Sequence, residues 1–212
     1  MIRSLPLANG LSIGIAFQRI NSVGVLNTWQ RDIQHCIAAL GRPDSGWNWR
    51  NISRMAAVIG IRQSPSIFAL MVSGATTAYP SALVCLLEDT VYPMDPDLGA
   101  VYVYYMSAAP EACLTAIARR DEIPKLGGQA LIDLAIQRSL ARGHDGRVWL
   151  HAAPAGGQGL FDWYRNACGM QLVPGNVTLP GMRRFATGND GRYFYHDDRS
   201  AQHALARLSQ YR

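Results

Sequence analysis

Residues 101–106 read Val-Tyr-Val-Tyr-Tyr-Met, residues 125–143 read KLGGQALIDLAIQRSLARG, and residues 146–154 read GRVWLHAAP. β-Branched and aromatic side chains fill the first stretch and predict the strongest strand of the chain. In the second, Leu131, Ile132, Leu134, Ala135, Ile136 and Leu140 follow Gly127 and Gly128 and predict a helix that Gly143 stops. Arg147 to His151 predicts a short strand. A strand, a helix and a strand in this order argue for a parallel part of a sheet.

Working upstream, Ile67 to Ser73 and Ala82 to Glu88 are short apolar runs with strand character, separated by a turn region over Gly74 to Pro80. Pro93 and Pro96 frame a loop. Neighbouring strands with no helix between them argue for an antiparallel part, so the sheet is mixed and the class is α+β. Earlier still, Val25, Leu26, Trp29, Ile33, Ile37 and Leu40 recur at three to four residues and predict an amphipathic helix capped at Asn21-Ser22 and ended by Gly41 and Pro43. A second helix is predicted over Trp47 to Ile61, with Ile52, Met55, Ala56 and Ile59 on one face. Leu11 to Phe17 is compatible with a strand, weakened by two glycines. Downstream, Phe161 to Ala167 reads as a short helix ended by Gly169. Met182 to Ala186 and Arg192 to His196 flank Gly188-Asn-Asp-Gly191 as a hairpin. Asp197 to Ser209 reads as a terminal helix. No linker divides the 212 residues, so one domain is expected over residues 1–212.

Composition narrows the function classes. Nearly half the residues are apolar, enough for a packed core. No run approaches the roughly 18 apolar residues of a membrane span, and Pro6 and Gly10 break the mildly apolar start, so no membrane partner and a cytoplasmic location are expected. Cys36, Cys85, Cys113 and Cys168 are far apart and lack metal-ligand spacing, so they are expected to be reduced thiols and no metal is expected. Net charge is +5, and most of the excess lies after residue 98. That favours a polyanionic ligand near the second half. The basic pairs Arg119-Arg120 and Arg183-Arg184 are too short to indicate nucleic acid, although it remains possible.

A helix start presents unpaired N–H groups and the positive end of its dipole. Glycines there let the backbone approach a phosphate. Lys125, Leu126, Gly127, Gly128, Gln129 and Ala130 thus form a candidate pyrophosphate cradle, although a glycine pair before a helix is also an ordinary turn. Taken together, VYVYYMSAAPE, KLGGQALIDLAIQRSLARG, GRVWLHAAP and FDWYRNACGM, over residues 101–170, resemble the GNAT superfamily of N-acetyltransferases. Three features depart from the family pattern. Ile123 and Leu126 stand where its phosphate loop has other residue types, the stretch between Pro110 and Lys125 is longer than usual, and Gly169 stands five positions after Tyr164 where the family has four.

The resemblance implies a GNAT-like mixed, mostly antiparallel central sheet flanked by helices, with a splayed parallel strand pair. It implies acetyl-CoA, or another acyl-CoA, as co-substrate, with its pantetheine arm along the backbone of Tyr105, Met106 and Ser107. It also implies a primary amine, on a small molecule or a protein, as acceptor. Tyr164 would be the acid that serves the leaving thiolate, or else a core ring beside Trp163. His151 and Glu88 are the base candidates, with Glu111 a weaker third; each has a structural alternative, a hydrogen-bonded histidine or a solvated strand end. Trp47 and Trp49 would border the acceptor pocket and suggest an apolar or aromatic amine. A homodimer through Leu205 and Leu208 is possible. The competing readings are a GNAT fold that binds ligands without catalysis, an acetyltransferase acting on charged tRNA, and a different fold in which Gly127-Gly128 is a plain turn.

Overall fold

The computed structural model describes residues 1–59, 65–75, 77–180 and 188–212. Its strands are β1 (Ser4–Pro6), β2 (Ser12–Arg19), β3 (Pro65–Ser73), β4 (Ala78–Tyr92), β5 (Asp95–Ala108), β6 (Val148–His151), β7 (Gln171–Leu172) and β8 (Tyr193–His196). They form one sheet in the order β1-β2-β3-β4-β5-β6-β8-β7. Only the β5–β6 neighbours run parallel; every other neighbouring pair is antiparallel. This is the mixed sheet expected from the sequence.

The helices are α1 (Gly24–Thr28), α2 (His35–Ala39), α3 (Trp49–Ile59), α4 (Glu111–Leu114), α5 (Gly127–Ala141), α6 (Gly157–Asp162) and α7 (Asp198–Arg207). α1 and α2 are two ends of one helical segment joined by a π-helical stretch, Trp29–Gln34. The Trp29 indole donates to the Gln34 side chain there at 3.0 Å. The expected cap at Asn21-Ser22 is not used: the helix starts after Val23 with no side-chain cap. α3 starts two residues later than expected, with Ile52 and Ala56 buried but Met55 largely exposed. Residues 60 and 61, assigned to that helix from the sequence, lie outside the described residues, as does the hairpin arm at 182–186.

β4 and β5 are much longer than the apolar runs that announced them. Pro93 and Pro96 were expected to frame a loop, yet Tyr92 pairs with Asp95 and the turn is tight. Strand pairing overrides the weak propensity of Asp95 to Gly99. α5 packs across β4 and β5 with Leu131, Leu134, Ala135 and Ile136 fully buried. Gly143 stops it at φ +76°.

The expectation of four reduced thiols is corrected. Cys36 of α2 and Cys113 of α4 are joined by a disulfide across 77 residues of chain, because the two helices pack together with Cα atoms 5.6 Å apart. Cys85 and Cys168 are free and buried. The two leucines named for a homodimer stand at the end of α7. Leu208 is buried and Leu205 packs on the chain's own core. Among the described residues no helix is long and apolar enough to cross a membrane.

Candidate active site

Two local features open a site beside β5. First, β5 and β6 are paired only from Val101–Val148 to Val103–Leu150. β6 stops at His151, whereas β5 continues to Ala108, held on its other side by β4. From Tyr104 onward β5 therefore has no strand neighbour on the β6 side, and its backbone groups there form an open edge. Second, the β4–β5 register shifts at this level: Cys85 faces Tyr105 while Leu86 faces Val103. Tyr104 is the extra residue of a β-bulge, which bends the strand as the gap begins.

α5 aims its start at the same gap. Its first internal bond runs from the Ala130 N–H to the Leu126 carbonyl. The N–H groups of Gly127, Gly128 and Gln129 therefore lie outside the helical ladder. Leu126 holds the turn in the left-handed region, φ 62°, uncommon for a residue with a side chain. Gly128 has a packing reason of its own. A Cβ there would sit 2.8 Å from the Trp163 ring, whereas one at Gly127 would meet only a Leu70 methyl at 3.8 Å.

These features line one cavity of about 1060 Å³. Its wall takes in Tyr105 and Met106 from the open edge, Lys125 to Gln129 from the helix start, and His151 and Tyr164. Of the cofactor-binding candidates, Ser107 and Ala130 are not in the wall. Ala130 is buried in the core, and the buried Ser107 hydroxyl donates to Asp44 at 2.5 Å. Lys125 is not a free charge, since its ammonium pairs with Glu111 at 2.6 Å at the cavity edge. Ion pairing with Lys125 holds the Glu111 carboxyl below the usual carboxylate range.

Tyr164 sits in a π-helical turn, Trp163–Ala167, that continues α6. The Cys168 N–H reaches back five residues to the Trp163 carbonyl, so this turn takes up the extra residue between Tyr164 and Gly169. The Tyr164 ring is buried against Trp163 and Phe194 and also lines the cavity. Burial raises its pKa, as it does for Tyr102 and Tyr104, and these phenols stay protonated at physiological pH.

His151 ends β6 at the mouth of the gap. Its ring stacks on Tyr193 at 4.4 Å, and Nε2 lies 2.9 Å from the Asp190 carboxylate. Glu88, the other base candidate, is not in the cavity. Its buried carboxylate accepts from Arg138 at 2.7 and 3.1 Å, level with the stretch of β5 where the pairing with β6 begins. The sequence suggested a base because Glu88 ends an apolar run; the strand in fact continues to Tyr92, and the carboxylate is an ion-pair partner for α5.

The sequence reading missed the Arg42–Asp44 pair. Asp44 accepts from Arg42 at 2.9 and 3.0 Å, and Arg42 also donates to the Ala108 carbonyl at 2.9 Å. Both residues line the cavity beside Trp47, whose ring meets Tyr105 edge-on at 4.8 Å. The only sequence signal was the polar loop GRPDSG, which reads as a connection. Trp49, by contrast, is fully buried and forms no part of this wall. Among the described residues no group of His, Cys, Asp and Glu could hold a metal ion.

No protein-family model matches this sequence, and neither does any curated protein. Solved structures do resemble it. An acetyltransferase of the GNAT family from Staphylococcus aureus Mu50 shares 12% identity over 87% of this chain and 99% of its own, with a TM-score of 0.51. A mutant AtaT toxin, bound to the C-terminus of the antitoxin AtaR and acetyl-CoA, shares 8% identity over 90% of this chain and 98% of its own, with a TM-score of 0.48. The first likeness, with the sheet order and the single splayed parallel pair, establishes that this chain has the fold of GNAT-family acetyltransferases.

Proposed function

We propose that the chain is an acyl-CoA-dependent N-acyltransferase that passes an acyl group directly to an amine while both substrates are bound. One observation carries the reading: the unpaired N–H groups that start α5 and the open edge of β5 beyond Val103 lie in the wall of the same cavity. The first suits a pyrophosphate and the second an extended amide-bearing arm, the two chemistries that coenzyme A joins. Bound there, an acyl-CoA supplies an acyl group activated as a thioester.

The chain's own groups then divide the work. A backbone N–H near Met106 stabilises negative charge developing on the acyl oxygen. His151 takes the proton from the acceptor amine, whose nitrogen lone pair forms the new bond to the acyl carbon as the bond to sulfur breaks. Tyr164, kept protonated by burial, hydrogen-bonds the departing sulfur. The acceptor wall favours a small apolar or aromatic primary amine. Trp47 and Tyr105 supply ring faces, and the charges beside them are already paired, Arg42 with Asp44 and Lys125 with Glu111.

Calorimetry with acetyl-CoA tests the reading. Wild-type protein should bind, and Gly127→Glu should lose binding through bulk and charge at the helix start. Gly127 is the cleaner position because a side chain at Gly128 would displace Trp163 before it met any ligand. Absence of binding by the wild type sinks the proposal.

A further inference from the structure

The His151–Asp190 contact is built from both sides. Asp190 lies in the turn before β8. One carboxylate oxygen accepts the Arg192 N–H at 3.0 Å, while the other meets His151 Nε2 at 2.9 Å. The turn is pinned further by the Asn189 side chain, which accepts the Gly191 N–H at 3.0 Å and donates to the Pro174 carbonyl at 2.8 Å. Gly191 takes φ +75°, which favours a residue without a side chain. From the β8 side, Tyr193 pairs with His151 in register and stacks on its ring. Arg192, the nearest cation of that turn, is directed elsewhere, donating to the Ala152 and Gly157 carbonyls at 2.8 and 2.9 Å. The ring is thus fixed in its plane by Tyr193 and in its rotation by Asp190.

We propose that Asp190 is a positioning residue for acyl transfer: it holds the proton of neutral His151 on Nε2 and leaves Nδ1 as the basic nitrogen facing the acceptor amine. This rests on the acyltransferase reading above. A carboxylate can only accept a hydrogen bond, so its partner nitrogen must carry the proton. The other ring nitrogen then carries the lone pair. Among the described residues no group hydrogen-bonds Nδ1. In the step itself, Nδ1 gains the amine proton and becomes imidazolium. Asp190 stabilises that charge without taking the proton.

Two readouts test this on the full chain. Nitrogen NMR on isotope-labelled histidine should find the His151 proton on Nε2 in the wild type. In Asp190→Asn, whose amide can donate to Nε2, it should move to Nδ1. Turnover is followed as thiol released from acetyl-CoA with phenethylamine, or with water where the amine is not taken. Asp190→Asn should lower kcat by about 10- to 100-fold while KM for acetyl-CoA stays within about twofold, and Asp190→Glu should restore part of the loss. An unmoved proton in Asp190→Asn overturns the proposal, as does unchanged kcat in both Asp190→Asn and Asp190→Ala. If those results come with normal acetyl-CoA binding, the pair fails alone. A wild type that binds no acetyl-CoA removes the acyltransferase reading, and the role of Asp190 falls with it.

Discussion

The two ends of the β5–β6 pair are built in opposite ways. At the Val101–Val148 end, charge and hydrogen bonds close the structure. Arg138 grips Glu88, Arg142 pairs with Asp89, His144 reaches the Glu88 carbonyl at 3.0 Å, and Arg147 donates to the Gly99 carbonyl at 3.0 Å. Past the Val103–Leu150 end, the strands separate and the wall carries backbone edge, helix start, phenol and imidazole. A gap between strands forfeits hydrogen bonds and packing, so the sheet stays ordered only where its other end is held firmly. Substitutions at the closed end should therefore change stability, and those at the open end should change ligand handling.

The largest effect is expected at Glu88. Glu88→Ala leaves Arg138 without its buried partner and should cost about 3–5 kcal/mol in denaturant unfolding. The acetyl-CoA affinity of the protein that remains folded should not change; a large loss of affinity would break the contrast. Next comes the disulfide, which joins α2 to α4, the short helix that follows β5, and so braces the open end from outside the cavity wall. Cys36→Ser should cost about 2–4 kcal/mol in thermal or denaturant unfolding. A stability equal to wild type would mean that the bond adds nothing to the fold.

The most gradual effect, spread over the pH scale, concerns His196, paired opposite Val148 at the closed end. It is fully buried, and burial lowers its pKa to about 4. A histidine whose folded pKa is depressed contributes stability that is present above its unfolded value, near 6.5, and is lost as pH falls toward 4. Unfolding free energy should thus drop on acidification through that window by at most about 1.4 kcal/mol per pH unit from this group. His196→Gln should flatten the slope. An unchanged slope would assign the acid sensitivity to other groups.

Most of the fold could be read from local pattern. Val101 to Met106 and the α5 sequence have one period each and little competing signal, and the sheet orders itself around them. What stayed hidden depends on partners far along the chain. Glu88 looks like a strand end until Arg138 is placed beside it. Cys36 and Cys113 become neighbours only when α2 meets α4. The bulge at Tyr104 carries no glycine or proline to mark it. At Tyr164 the count to Gly169 looked one residue too long for the family pattern, and the π-helical turn that holds the added residue has no mark in the sequence. The helix start and His151, which the structure places in the cavity wall, could be singled out from sequence because the signals for them are local. Asp190 was read only as part of a turn, since nothing near it in sequence names its imidazole.

The meeting of Gly128 with Trp163 has a genetic consequence. With the indole in place, position 128 tolerates no side chain, and with a side chain at 128 the indole must move. Each residue is thus the other's suppressor. A line of descent that lost the tryptophan could acquire alanine or serine at 128, but the reverse order would pass through a protein with a disturbed helix start. The two positions should therefore drift together, and the tryptophan should go first.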